Sequence, residues 1–267
     1  MRIRSLGFQT DLALLRLGGS VLDDRGSHVV VRTPHNPAYW WGNFLLLPEV
    51  PADGDVWRWL AEFAETFPDA THLALGFDGV DGTVDDLAAF SAEGLSAEAQ
   101  SVMTATSVHP PPRPNHDAEY RRLSSDDDWA RHVELNVACE DSGHEPAAYR
   151  EFATQKSATY RALAEAGHGA WFGAFVDGRL LSTMGMFRAG PGLGRFQSVE
   201  THPEARRQGL AGTLVHHVSQ YAFGELGAET LVMVADPLYT AIRVYESVGF
   251  ATTESQLQVE RPLPTSA

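Results

Sequence analysis

The sequence contains very little cysteine. Cys139 is the single cysteine among 267 residues, so no disulfide can form within the chain. This usage is typical of a reducing compartment, and we expect a cytoplasmic protein. The 11 histidines show no ligand spacing such as His-Glu-x-x-His, and a single cysteine excludes a thiolate cluster. We therefore expect no metal site.

Long hydrophobic runs and basic residues are also scarce. The chain has no stretch of about 18 apolar residues that would span a bilayer. Charges are scattered through residues 1–19, so we expect no signal peptide. There are 20 Lys and Arg residues against 35 Asp and Glu, which gives a formal net charge of −15. Nucleic acids and anionic membranes both require a basic surface, so we expect neither as a partner.

Proline is concentrated in one segment. Residues 109–115, HPPPRPN, hold four prolines in seven positions, which favours an extended and semi-rigid connector. The chain is long enough for two domains of roughly 100–150 residues. We therefore predict a first domain at residues 1–108, a Pro-rich linker at 109–116 and a second domain at 117–267.

Residues 117–267 alternate between strand and helix patterns. Asp177-Gly178 separates two apolar runs and predicts a tight hairpin turn. Gly167 and Gly249 are placed to end helices. The patterns predict strands at 119–123, 171–187 (the hairpin), 194–201, 229–235 and 255–261, and helices at 127–140, 145–166, 209–226 and 240–250.

The first half shows the same order of elements. Its patterns predict strands at 28–34, 44–48 and 72–78 and helices at 56–67 and 85–95. A shift of 155 residues places Pro48 on Pro203, and Phe90 to Leu95 on Tyr245 to Phe250. We infer an internal duplication. The predicted fold class is α/β (α+β), with two tandem domains that each have a mixed, mostly antiparallel sheet flanked by helices.

The start of the helix near residue 209 has an unusual sequence. Arg206, Arg207, Gln208 and Gly209 stand where Ser, Thr, Asp or Asn would normally cap a helix. Helix N-termini expose unpaired N–H groups that favour anions, and small residues let a ligand approach the backbone. This pattern predicts a phosphate site. The corresponding first-half segment, EVPADGDVW (49–57), is acidic, so we expect no anion site there.

At this motif the second half resembles the GNAT superfamily of acyl-CoA N-acyltransferases. Arg206, Gly209 and Ala211 match the family pattern Arg/Gln-x-x-Gly-x-Gly/Ala. The preceding VETHPEAR (199–206) and the later AIRVYESVGF (241–250) are also similar to the family's pattern. The clear resemblance covers about residues 116–262. The first half is similar to a degenerate second copy, as in tandem members of the family.

The resemblance implies a cofactor site for acetyl-CoA as co-substrate. In the family, amides of this turn hold the pyrophosphate, and a splayed strand before it pairs with the pantetheine arm. Carried over, the cofactor-binding residues are Val199, Glu200, Thr201, Arg206, Arg207, Gln208, Gly209, Leu210, Ala211, Gly212 and Thr213.

Two residues are candidate catalytic groups, Tyr245 from the resemblance and Glu200 from its place in the sequence. Tyr245 matches the family's tyrosine, which protonates or hydrogen-bonds the departing thiolate; the alternative is a core tyrosine. Glu200 is the carboxylate nearest in sequence to the cofactor strand and is the candidate general base, unless its side chain points away from the cleft. Phe90, the counterpart of Tyr245, has no hydroxyl. We therefore expect no second active site of this type in the first half.

The implied activity is an N-acetyltransferase that acts on a small-molecule amine by direct attack in a ternary complex. Two alternatives remain open: a non-catalytic acyl-CoA-binding or partner-binding module, and an acetyltransferase acting on peptide or protein N-termini. The aromatic patch Tyr39, Trp40, Trp41 and Asn43 is either packing or the lining of an acceptor pocket. The sequence leaves the oligomeric state open.

Overall fold

The computed structural model describes residues 1–140, 143, 145–239 and 241–263. The chain forms two compact units. The first contains Met1–Val102, Val234–Pro237 and the C-terminal residues from Thr252, and the second contains Met103–Met233 and Leu238–Ala251. None of the helices in these described residues is long and apolar enough to cross a bilayer.

The first unit is a mixed sheet with helices on both faces. The strands run in the order β1-β2-β3-β4-β11-β5. The β3–β4 pair is parallel, whereas β1–β2, β2–β3 and β4–β11 are antiparallel. The elements are α1 (Leu6–Leu17), β1 (Val21–Asp24), β2 (Val29–Arg32), β3 (Phe44–Leu47), α2 (Val56–Thr66), β4 (His72–Phe77), α3 (Ala88–Ala92), β5 (Ser96–Ala105) and β11 (Ala251–Pro262).

The alternation of side chains along β3 divides the first unit's core into two layers. Phe44 and Leu46 lie on the face covered by Phe8 and Leu12 of α1. Leu45 and Leu47 lie on the opposite face, which is covered by side chains of α2 and α3. All four β3 side chains are buried because both faces of this strand carry a helix.

The second unit has the same kind of sheet. Its strand order is β10-β9-β8-β7-β6, with β9–β10 parallel and the other three pairs antiparallel. The elements are β6 (Glu119–Arg122), α4 (Asp126–Cys139), α5 (Pro146–Glu165), β7 (Gly169–Val176), β8 (Arg179–Arg188), β9 (Leu193–Thr201), α6 (Leu210–Gly224), β10 (Thr230–Ala235) and α7 (Ala241–Glu246).

Neighbouring residues of β7 show which helices cover each face of the second sheet. Trp171 packs against Trp129 of α4 and Tyr160 of α5, with ring centroids 6.3 and 4.6 Å away. Phe172, the next residue, packs against Tyr221 of α6 at 5.0 Å. Helices α4 and α5 therefore cover one face and α6 covers the other.

Local signals set several of these boundaries as expected. Ser125 caps α4 by accepting a hydrogen bond from the Asp128 amide at 3.1 Å, and the Asp128 carboxylate accepts one from the Ser125 amide. Asp177 and Gly178 have φ of 49° and 74°, the conformation of a two-residue hairpin turn. Thr240, the first residue of one predicted helix, lies outside the described residues.

The predicted mixed, mostly antiparallel sheet flanked by helices is confirmed in both units. The order β1-β2-β3-α2-β4-α3-β5 in the first unit matches β7-β8-β9-α6-β10-α7-β11, and the third and fourth strands are parallel in both series. This correspondence supports the inferred duplication. Helix α1 and strands β1 and β5 have no counterpart among the elements predicted from the sequence, although Ser5 caps α1 by accepting from the Phe8 amide.

The division of the chain differs from the predicted boundaries. Strand β11 pairs with β4, from Leu257 opposite Phe77 to Pro262 opposite His72, so the C-terminal residues belong to the first unit. The Pro-rich residues 109–115 belong to the second unit. A cut at residues 109–116 would therefore separate β11 from the sheet in which it pairs.

Candidate functional site

A cleft of about 900 Å³ lies in the second unit between the end of β9, the start of α6 and helix α7. It contains nearly all of the residues predicted for the site. The predicted residues that line it are Val199, Glu200, Thr201, Arg206, Arg207, Gln208, Gly209, Leu210, Ala211, Gly212 and Tyr245.

The turn before α6 presents its backbone amides to the cleft. Arg207 and Gly209 have φ of 64° and 80°, and Gly209 caps the helix without any side-chain hydrogen bond. Among the described residues, no acceptor is bonded to the amides of residues 207–212. Arg206, Arg207 and Gln208 are exposed. Free amides at a helix start, together with two guanidinium groups, form a site suited to an anion.

The two parallel strands beside this turn separate before they end. β9 pairs with β10 over three residues only, from Leu193 opposite Thr230 to Arg195 opposite Val232. β9 then continues to Thr201, and Ser198 has φ of 42° where the β8–β9 register shifts. This bulge places two β9 residues opposite one β8 residue. The gap that opens between β9 and β10 beyond Arg195 leaves room for an extended group along Val199 and Thr201.

Glu200 is partly buried at the wall of the cleft. Its carboxylate accepts a hydrogen bond from Asn136 Nδ2 of α4 at 2.6 Å. Burial raises the pKa of Glu200 to about 7, and Glu140 adds to this, while Lys156 and the Asn136 hydrogen bond act in the opposite direction. A carboxyl group with this pKa exchanges protons readily at neutral pH.

Tyr245 lies on α7 and reaches the same cleft. It is 5% exposed. Burial raises the pKa of its phenol above the ordinary value, and the nearby Tyr239 adds to the effect. The phenol therefore remains neutral over the physiological range and keeps its proton for a hydrogen bond.

Thr213 is the one predicted cofactor residue that does not line the cleft. Its hydroxyl accepts a hydrogen bond from the Asn115 amide at 2.8 Å and donates one to the Gly209 carbonyl at 2.9 Å. Several residues that line the cleft were not predicted from the sequence: Pro111, Pro112, Arg113, Pro114, Cys139, Tyr239, Val244 and Ser247. The proline run predicted an extended segment, but nothing in the sequence indicated what that segment would contact.

The corresponding place in the first unit is closed. β3 and β4 stay paired to their last residues, Leu47 and Phe77, so these strands do not separate. Phe90, the counterpart of Tyr245, is buried against Phe77 with ring centroids 5.2 Å apart. The space that forms a cleft in the second unit is filled here by hydrophobic side chains.

The aromatic patch of the first half has a structural role within the first unit. Asn43 donates to the carbonyls of Asn36 and Tyr39, and its own amide oxygen accepts from the Thr33 backbone. Trp40 stacks on His72 at 5.3 Å. Trp41 Nε1 donates to Glu260 at 2.7 Å. Of the two interpretations left open, these contacts favour packing.

The fold and the cleft define an α/β protein with free backbone amides at a helix start beside a pair of splayed strands. Residues 129–250 match the model of the acetyltransferase (GNAT) family. These residues therefore form a GNAT-family domain. The family generally uses acyl-CoA and implies acyltransferase activity. No curated protein matches the chain in sequence.

Solved structures with the same fold cover almost the whole chain. A functionally unknown conserved protein from Staphylococcus epidermidis is 11% identical, covers 91% of this chain and 93% of its own, and has a TM-score of 0.69. A GCN5-related N-acetyltransferase from Kribbella flavida is 16% identical over 97% and 98%, with a TM-score of 0.65. A tandem GNAT protein from the clavulanic acid biosynthesis pathway is 14% identical over 95% and 89%, with a TM-score of 0.55.

Proposed function

We propose that the protein is an N-acetyltransferase that moves an acetyl group from acetyl-CoA to an amine of a small molecule, by direct attack in a ternary complex. The observation that supports this most strongly is the content of one cleft. The cleft is lined by a turn with free backbone amides, by the Glu200 carboxyl group with a pKa near 7 and by the neutral phenol of Tyr245. It also includes the gap between the parallel strands β9 and β10. We propose the cytoplasm as its location, where the single cysteine would stay reduced.

The residues present fit the cofactor. The free amides of residues 207–212 would bind the diphosphate of CoA, with Arg206 and Arg207 adding charge at the rim. The pantetheine arm would lie in the gap beside Val199 and Thr201 and pair with their backbone. In this arrangement the thioester would come to the part of the cleft that Glu200 and Tyr245 line.

Glu200 would act as the general base. The amine arrives as an ammonium ion, and the Glu200 carboxylate accepts one of its protons, directly or through a water molecule. The freed nitrogen lone pair then attacks the thioester carbonyl carbon. A backbone amide near Val199 would stabilise the negative charge that develops on the carbonyl oxygen.

Tyr245 would assist the leaving group. As the carbon–sulfur bond breaks, the electron pair stays on the sulfur of CoA, and the neutral phenol donates a hydrogen bond or its proton to that sulfur. As the intermediate collapses, its nitrogen loses a second proton, which ends on the sulfur or replaces the one that Tyr245 has given to it. The products are an acetylated amine and the free thiol of CoA, and the proton held by Glu200 returns to solvent. The net charge of −15 would favour cationic amines as acceptors.

The proposal is tested by measuring free thiol released from acetyl-CoA across a panel of small amines, with a panel of peptides in parallel. We expect acetyl-CoA-dependent turnover on at least one cationic small amine. Activity confined to peptides would favour an N-terminal acetyltransferase. Calorimetric binding of CoA without turnover on any acceptor would favour a non-catalytic module.

A further inference from the structure

The Pro-rich segment packs directly against the anion-binding turn. Asn115 donates from its side chain to the Gln208 carbonyl at 2.9 Å and from its backbone to Thr213 Oγ1 at 2.8 Å. A Cβ atom on Gly212 would lie 3.2 Å from Pro111 Cβ, and one on Gly209 would lie 2.5 Å from the Arg113 carbonyl oxygen. Residues 111–115 are therefore a docked wall of the cleft within the second unit.

This wall brings a third guanidinium group to the cleft. Arg113 is exposed and lines the same cavity as Arg206 and Arg207. Among the described residues, none of these three arginines forms an ion pair with a carboxylate. Some arginines elsewhere in the chain do pair, for example Arg121 with Asp128 and Arg161 with Asp126, so what distinguishes Arg113, Arg206 and Arg207 is that all three line one cavity.

Three unpaired cations around one cleft are notable in a chain with 35 acidic and 20 basic residues. Exposed like charges repel one another and gain nothing from proximity in the free protein, so their convergence indicates a polyanionic ligand. The turn and its two arginines account for one diphosphate. CoA also carries a 3′-phosphate, which gives a third cation a partner of the right chemistry.

We propose that residues 111–115 are part of the acyl-CoA site and that Arg113 binds a phosphate group at the nucleotide end of CoA. This proposal rests on the proposed function only in taking CoA as the ligand. Asn115 positions Arg113 by fixing the segment to the turn. The prolines limit the freedom of the backbone on either side, so little conformational entropy is lost when Arg113 engages the ligand.

The test is calorimetry of the full-length protein with CoA and with dephospho-CoA, which lacks the 3′-phosphate. We compare the wild type, Arg113→Ala and a control, Arg179→Ala, which removes an exposed arginine from the β7–β8 hairpin. We expect Arg113→Ala to raise the Kd for CoA about tenfold, as for a lost charge-assisted hydrogen bond. Arg179→Ala should leave this Kd within twofold of the wild-type value.

The two ligands identify which phosphate Arg113 contacts. If it binds the 3′-phosphate, wild type and Arg113→Ala will bind dephospho-CoA equally. If it binds the diphosphate, the variant will lose the same factor for both ligands. Both results support the proposal. A folded Arg113→Ala protein that binds CoA as tightly as the wild type would overturn it. Failure of the wild type to bind CoA would instead count against the proposed function itself.

Discussion

At the scale of single residues, burial shifts the pKa values of Glu200 and Tyr245 in the same direction, although the two residues have different proposed roles. Burial raises the pKa values of both Glu200 and Tyr245 because the low-dielectric surroundings disfavour their charged forms. For Glu200 this brings the pKa to about 7, which suits proton exchange at neutral pH. For Tyr245 it keeps the phenol neutral. The same physical cause thus prepares one group to accept a proton and the other to retain it.

Glu200→Gln is expected to lower kcat by roughly 10²- to 10³-fold, because the amide cannot accept the proton of the incoming ammonium ion. The Kd for CoA should change less than twofold, since the turn amides are untouched. Steady-state kinetics and calorimetry check the two quantities. Glu246→Gln makes the same change at an exposed position of α7 and should leave both near wild type.

The pH profile tests the same assignment. In the proposed mechanism the carboxylate form of Glu200 accepts the proton, so kcat should rise as the pH increases through about 7 and level off above it. The Glu200→Gln variant should lose this rise. A wild-type profile that is flat between pH 6 and pH 8, with chemistry rate-limiting, would remove Glu200 from the mechanism.

Tyr245→Phe is expected to lower kcat by roughly 10- to 100-fold with little change in the Kd for CoA, since the ring still fills its site and only the donor is lost. The measurement is kcat alongside the CoA Kd. Tyr221→Phe is the matched control, because Tyr221 lies on α6 against Phe172 and is not among the residues of the cleft. An unchanged rate in Tyr245→Phe would assign that residue to the core.

His132 is expected to make the second unit sensitive to acid. It is buried beside Trp129 and Trp171, and burial lowers its pKa to about 3, with Lys156 adding to the effect. The unfolded chain binds a proton near the ordinary pKa of 6.5, so it holds more protons than the folded state between pH 6.5 and pH 3. The free energy of unfolding therefore falls as the pH decreases across this window.

The variant His132→Gln should flatten this dependence by about one proton, because the amide does not titrate. It can still contact Ser157 Oγ, which lies 3.0 Å from His132 Nδ1. Urea unfolding at several pH values measures the slope. A slope equal to that of the wild type would show that His132 is not responsible for it.

At the scale of elements, the shape of β9 and the turn after it create the cleft. β9 has nine residues and a bulge at Ser198, and it leaves β10 after Arg195, whereas its counterpart β3 has four residues and pairs with β4 up to the last residue of both strands. The gap between parallel strands thus exists in one unit and not in the other. The second unit also has a glycine at the start of α6, where the left-handed conformation and the nearby Arg113 carbonyl leave no room for a side chain.

Gly209→Ala is expected to weaken CoA binding at least tenfold and to destabilise the fold by more than the roughly 1–2 kcal/mol of a left-handed alanine. The added Cβ would lie 2.5 Å from the Arg113 carbonyl oxygen, so either residues 111–115 or the turn must move. Gly167→Ala is the control, because Gly167 has a similar φ of 78° and an added Cβ would meet nothing within 4 Å. Calorimetry with CoA should find normal binding in the control alone.

At the scale of the whole molecule, the order of the strands in the sheet differs from their order in the sequence, because β11 pairs with β4. β11 is the last strand among the described residues, but its side chains Leu257 and Val259 belong to the first unit's core with Phe77 and Phe90. The first unit therefore needs β11, which follows the whole second unit in sequence, to complete its sheet.

Leu257→Ala is expected to destabilise the first unit by about 2–5 kcal/mol, the range for removing a buried leucine side chain. Hydrogen exchange should show lost protection in β4 and β11. Leu214→Ala removes an equally buried leucine from α6 and should lower protection in the second unit instead. Loss of protection in the second unit alone after Leu257→Ala would contradict the assignment of β11.

The sequence by itself determined the element types apart from α1, β1 and β5, together with the duplicated order and the turn at residues 206–212. These depend on local chemistry: the period of apolar side chains, the cap at Ser125, the Asp177-Gly178 turn and the glycines before α6. The resemblance to a known family then assigned cofactor-binding roles to the residues of this turn and of the strand before it. Nearly all of them line one cleft because adjacent residues of a strand end and a helix start remain neighbours after folding.

Only the tertiary structure decided which distant segments complete the site and each sheet. Asn115 and Thr213 are 98 residues apart, and Asn136 and Glu200 are 64 apart, so no local pattern predicts their hydrogen bonds. The pKa of Glu200 and the place of β11 depend likewise on packing between remote elements. Burial and strand pairing are properties of the folded chain. They depend on contacts between residues far apart in the sequence, so they cannot be predicted from any short segment of it.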